Sequence, residues 1–146
     1  MKNIIIYCSI HHNNTFKLLQ SGCDNLDVEL VNIKNAKDIE LSKYNVVGFA
    51  SGIYNGKFHQ SLFDFIDNSV SLPKKAFLVH TSGSGNKKYA LSFINLLKEK
   101  DIDIIDSFCC KGLDTFGVFK YIGGISRKHP DSKDIDNFRN FISTII

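Results

Sequence analysis

The chain predicts an open, doubly wound α/β fold: five parallel strands joined by helical crossovers, with helices on both faces of the sheet. Short apolar runs alternate with longer amphipathic ones from end to end. The first, third and fourth runs are nearly continuously apolar, as strands covered on both faces must be. The loops after those same three runs are rich in Gly, Ser and Asn, and in such sheets ligands bind beyond the carboxyl ends of the strands.

The elements follow in order. Residues 3–8 (Asn3-Ile4-Ile5-Ile6-Tyr7-Cys8) form the first strand, and Thr15 to Gln20 the first helix. Strands follow at 28–33, 46–50, 76–81 and 104–109, and helices at about 39–42, then 59–68, 87–100 and 134–145. In the last helix Ile135, Phe138, Phe141, Ile142 and Ile145 recur at spacings of three and four, one helical stripe, with Asp131, Ser132 and Asp134 where an N-cap belongs. The least regular stretch, 112–131, carries four glycines and Pro130; a loop of that length in a small domain is more often functional than idle.

With 146 residues and 43% hydrophobic content, one domain over 1–146 has core enough to fold without staples. The apolar runs are far too short to span a bilayer, so no membrane span is expected and the protein reads as cytoplasmic. Cys8, Cys23, Cys109 and Cys110 lack metal-binding spacing and read as free core thiols, the last two at a strand end on alternate faces. The net charge of +3 belongs to the second half, where Lys74, Lys75, Lys87, Lys88, Lys111, Lys120, Arg127 and Lys128 gather. A solvated basic surface is one reading; an acidic protein partner or anionic small substrate is the other. No arginine run is interleaved with aromatics, which speaks against nucleic acid.

The loop Ser9-Ile10-His11-His12-Asn13-Asn14-Thr15 joins a buried strand to a helix start, where free backbone N–H groups and the positive helix end meet. That is where a phosphate binds. No Lys or Arg lies in it, so hydroxyls, amides and backbone donors would hold the anion, with helix capping as the plain alternative for Ser9 and Thr15.

The three loops together resemble those of flavodoxins and the wider flavodoxin-like FMN-binding family. There the first loop reads T/S-x-T-x-N-T or a close variant, matched here at Ser9, Asn14 and Thr15. Ala50-Ser51-Gly52-Ile53-Tyr54-Asn55-Gly56 resembles the second flavin loop and Thr81-Ser82-Gly83-Ser84-Gly85 the third. The resemblance covers essentially the whole chain. It implies strand order 2-1-3-4-5 and FMN as cofactor. The FMN phosphate is implied at Ser9, Ile10, His11, His12, Asn13, Asn14 and Thr15, and the ring among Ser51, Gly52, Ile53, Tyr54, Gly56, Thr81, Ser82 and Gly83.

Two departures stand out. Asn13 replaces a common glycine, and asparagine tolerates the left-handed conformation. The chain has no Trp, leaving Tyr54 to stack on the ring. Gly52 or Gly56 would let a peptide turn toward the flavin, and Lys87 and Lys88 would ease negative charge on the reduced ring.

Other phosphate chemistries fail on the residues. A cysteine phosphatase needs Arg six positions after Cys8, where Asn14 stands; a receiver domain needs carboxylates after strands 1 and 3, where Ser9 and Ser51 stand. No Gly-x-x-x-x-Gly-Lys-Ser/Thr string exists. The resemblance then implies a low-potential electron carrier serving redox partner proteins, a reductase and an acceptor. The second reading is an FMN-dependent oxidoreductase of NAD(P)H:quinone reductase or protoporphyrinogen oxidase type, with His80, His129, Lys120 and Tyr121 the polar groups to watch.

Overall fold

β-branched and aromatic residues on both faces make the first run a central strand. The computed structural model, which describes residues 2–10, 12–113, 124–126 and 128–146, places it at β1, Asn3–Cys8, with Ile4, Ile5 and Ile6 wholly buried. In chain order there follow α1 (Asn14–Gly22), β2 (Val28–Asn32), β3 (Val47–Tyr54), β4 (Lys57–Phe58), α2 (Gln60–Asn68), β5 (Lys75–Ser82), α3 (Leu91–Glu99), β6 (Asp103–Lys111) and α4 (Ser132–Ser143). Five parallel strands pair in the order β2-β1-β3-β5-β6, and β4 hangs antiparallel on β3. Counting only the five, this is the expected order 2-1-3-4-5. Because the strand order reverses between β1 and β3, α1 and α4 cover one face and α2 and α3 the other.

Two expectations are corrected. The helix expected near 39–42 is absent; the β2–β3 crossover has only single 3-10 turns at Ile33–Asn35 and Leu41–Lys43, with Ala36 and Leu41 plugged into the core between and within them. Asn32 favours a local turn over a longer helix, its side chain accepting Lys34 N–H (3.0 Å) at the head of the first turn. The stretch 51–58, expected as a loop, is a continuation of β3 that folds back through Asn55 (φ 52°) and Gly56 (φ 77°) into β4. Asn-Gly with both residues left-handed is the two-residue turn whose twist matches a hairpin, and that dipeptide was the signal for it.

Each face carries its own core. Ile4, Ile6, Phe49 and Leu78 meet Phe58, Leu62, Phe93 and Leu97 from β4, α2 and α3; Ile5, Phe77 and Val79 meet Leu18, Leu19, Phe138 and Ile142 from α1 and α4. Helix α1 lies close on α4 because Gly22 has no side chain: a Cβ there would sit 2.2 Å from Phe138 Cδ2. The last helix starts as its sequence predicts, at a reciprocal capping box in which Asp134 N–H donates to Asp131 and Asp131 N–H donates back to Asp134. Among the described residues no helix is long and apolar enough to cross a membrane.

Candidate functional site

Parallel pairing brings the ends of four strands into line. Cys8 pairs with Ser51, Ser51 with His80, and His80 with Cys109, so the chain leaves the sheet at neighbouring points of one rim. The three polar segments singled out in the sequence all open there.

In the first segment, His12 (φ 58°) and Asn13 (φ 53°) are both left-handed, and Asn13 is the N-cap of α1 without a side-chain cap bond. Asparagine therefore fills the role expected of it. Ser9 Oγ takes the N–H of Phe16 (3.2 Å), whereas helix geometry leaves the N–H groups of Asn14 and Thr15 without intrahelical acceptors. The first turn holds no acidic residue. Asn14 turns away: its Nδ2 donates to Leu113 O (2.8 Å) and packs against Gly112. His11 lies outside the described residues.

Two contacts tie the segments together. Thr15 Oγ1 and Thr81 Oγ1, both buried, are hydrogen-bonded at 2.9 Å. A pair of hydroxyls sharing one bond uses one of its two protons. Ile10 N–H donates to the Tyr54 hydroxyl (3.1 Å), which folds the tyrosine over Gly52, whose Cβ position is 3.0 Å from that hydroxyl. Tyr54 thus bridges the first two segments, with its ring edge-on to His59 (4.9 Å between centroids).

The second segment is braced from below. Ser51, fully buried, accepts from His59 N–H (3.0 Å) and donates to Gly52 O. His59 caps α2 by accepting from Ser61 N–H at Nδ1 (3.1 Å), and burial holds its pKa below the ordinary value. Ile53 pairs with Phe58 across the hairpin, and no atom lies within 4 Å of the Gly56 Cβ position.

In the third segment Ser82 Oγ accepts from Gly85 N–H (2.8 Å), closing a tight turn, while Gly83 O accepts from Ser126 Oγ (2.8 Å) and Gly85 O from Cys109 Sγ (3.3 Å). Cys110 is buried on the opposite face, so the adjacent thiols alternate as expected. The sequence did not single out Asn86, Ser126 or Leu113 for the site; their contribution is through backbone carbonyls and a loop hydroxyl, which carry no residue-type signal.

His80 has no exposed surface; its Nε2 meets Asn86 O at 3.0 Å, so that nitrogen carries the proton and Nδ1 is left buried without a partner. Burial pushes its pKa down, and the Asn86 bond offsets this only in part. The unfolded chain takes up that proton near about pH 6.5 and the folded chain resists it, so stability is full above that pH and falls as pH drops below it. Denaturant melts between about pH 7.5 and 5 are expected to show this decline, and His80→Gln to lessen it; an equally steep decline in the variant would put the titration elsewhere. His59 contributes with the same sign.

His129 Nδ1 lies 2.6 Å from Asp134 Oδ2, bracing the α4 capping box, and the N–H of Asp134 holds the Asp131 carboxyl below its ordinary pKa. Lys120 and Tyr121 lie outside the described residues.

An open parallel sheet in this strand order, with three segments converging on the reversal point, defines a flavodoxin-like α/β protein. The flavodoxin domain family model matches residues 3–115, and the chain belongs to that family. An uncharacterised protein of Methanocaldococcus jannaschii is 38% identical over 148 residues, spanning 100% of this chain and 99% of its own. Among solved structures, oxidised flavodoxin 1 from Bacillus cereus is similar at TM-score 0.69 and 15% identity, covering 98% of this chain and 95% of its own. A Fusobacterium nucleatum flavodoxin bound to flavin mononucleotide is similar at TM-score 0.64 and 12% identity, covering 99% and 97%. At these identities the solved structures speak for the fold.

Proposed function

We propose that this protein binds FMN at the rim described, phosphate against residues 9–15 and ring between the second and third segments, and carries electrons between partner proteins in the cytoplasm. One observation carries the reading: three segments meet at one helix N-terminus, locked by the Ile10–Tyr54 and Thr15–Thr81 bonds, with no carboxylate in the first turn of α1. The donor set suits a phosphate monoester, which accepts several hydrogen bonds from neutral donors at once. The four cysteines, all unpaired and three of them buried, fit a reducing compartment.

When bound, FMN supplies one- and two-electron transfer. The chain's share is placement. Ser9 fixes the turn over the first amides of α1, and the Thr15–Thr81 bond ties the start of that helix to the third segment. The left-handed Asn55-Gly56 turn would offer peptide groups to the ring edge, Tyr54 would flank it, and the backbone at Ser82 and Gly83 would meet its polar edge.

The carrier is favoured over an enzyme with its own substrate because the three histidines outside the first segment have structural duties. His59 caps a helix, His80 is sealed in the core and His129 braces α4, so none of the three is aimed at a substrate as acid or base. Anaerobic dithionite titration of the FMN-loaded chain should give a persistent one-electron-reduced spectrum, with no turnover of NAD(P)H and quinone. Rapid NAD(P)H oxidation would instead establish the oxidoreductase reading.

A further inference from the structure

The charges of the described residues are sorted along the strand direction. The segments leaving the carboxyl ends of the strands, residues 9–13, 33–35, 54–59, 82–89 and 111–113, contain Lys34, Lys57, Lys87, Lys88 and Lys111 and no Asp or Glu. Lys128 joins them beside the third segment, whose Gly83 holds Ser126. The carboxylates gather at the other edge, at Asp24, Asp27, Glu40, Asp67, Glu99 and Asp103, and lysines there are partly neutralised, as in Lys43–Glu40 (2.9 Å) and Lys100–Asp67 (3.6 Å). Among the described residues none of the rim lysines forms an ion pair. Among the described carboxylates close to the rim, Asp131 and Asp134 are committed to each other's backbone and to His129, and Asp64 accepts from Gln60 Nε2 (3.1 Å), whose Oε1 takes Lys57 Nζ (2.8 Å).

We infer that this lysine-lined rim is the docking face for an acidic redox protein. The inference rests on the reading of the same rim as the flavin site, since a carrier exchanges electrons where its cofactor reaches the surface. The face is too wide for a small anion: Lys34 follows β2 and Lys111 ends β6, the two outer strands of five, which puts them roughly 20 Å apart at ordinary strand spacing. It is also not purely charged. Ile10, 51% exposed, and Leu91, 53% exposed, stand on the same rim, and apolar groups among cations match a protein surface better than a phosphate backbone. Segregated charge gives the molecule a dipole along the strands, which turns this end toward an acidic partner during approach.

The test uses an acidic [2Fe–2S] ferredoxin as probe, titrated calorimetrically against the FMN-loaded chain, with basic cytochrome c and a single-stranded oligonucleotide as counter-probes. A one-to-one complex with ferredoxin is expected, weakening about tenfold or more as the Debye length is cut from about 30 Å to about 10 Å by salt, with cytochrome c not binding. Lys34→Glu with Lys128→Glu should weaken it at least about tenfold while flavin absorbance is retained. Absence of a salt-sensitive complex, tighter binding of cytochrome c or the oligonucleotide, or an unchanged double variant would each overturn the inference. Repeating the titration on flavin-free chain separates the two readings: ferredoxin bound by a chain that rejects FMN defeats the flavin reading alone, whereas FMN bound without ferredoxin defeats the docking face alone.

Discussion

The double variant Ser9→Ala, Thr15→Ala is expected to bind FMN about a hundredfold more weakly than the unaltered chain. Removing the Thr15 hydroxyl strands Thr81 Oγ1 in a buried site, at about 1–3 kcal/mol. Removing Ser9 Oγ frees the Phe16 N–H and the turn above it, at about 1 kcal/mol. Both bonds hold the first segment in place before any ligand arrives, so without them the ordering cost falls on the binding step. Titration by quenching of FMN fluorescence, beside thermal melts of the flavin-free proteins, divides the loss between binding and folding. Unaltered affinity in the double variant would show that these hydroxyls do not build the cradle.

Phe93→Ala is expected to cost about 3–5 kcal/mol of folding stability and lower the melting temperature by about 10 °C. Phe93 is fully buried, with the rings of Phe49, Phe58 and Phe63 at centroid distances of 5.5, 5.1 and 5.1 Å. Truncation opens a cavity beneath all three, and aromatic neighbours of this size collapse poorly into it. The loss reaches the rim, because Phe58, stacked on Phe93, directly precedes His59, whose N–H holds Ser51. Urea denaturation with an unchanged slope and a lower midpoint is the expected result; a cost below about 1 kcal/mol would mean that the core refills the space.

What the sequence makes legible here follows from where the physics is local. The run Ile4-Ile5-Ile6 can only be a central strand, and β1 has the predicted ends. Asn13 in the left-handed region and Asp131 at the head of α4 are decided by their own side chains and near neighbours. The antiparallel β4 went unread although Asn55-Gly56 announces it, because Lys57-Phe58 is too short to register as a strand by periodicity. The helix expected at 39–42 has no apolar stripe behind it, since Ile39 and Leu41 stand two apart; Ala36 and Leu41 are instead drawn singly into the core from short turns. Tertiary bonds such as Asn14 to Leu113 and Ser126 to Gly83 join residues far apart along the chain through backbone carbonyls, which every residue has, and no pattern of side chains could reveal them.

The central claim is that neutral donors at the start of α1 grip a phosphate. Parallel calorimetric titrations of the purified chain with FMN and with riboflavin, which differ only in that phosphate, test it most directly. The account predicts one FMN per chain and riboflavin weaker by about a hundredfold or more, since several charge-assisted hydrogen bonds go with the phosphate. Equal affinities for the two, or no binding of FMN, would contradict it.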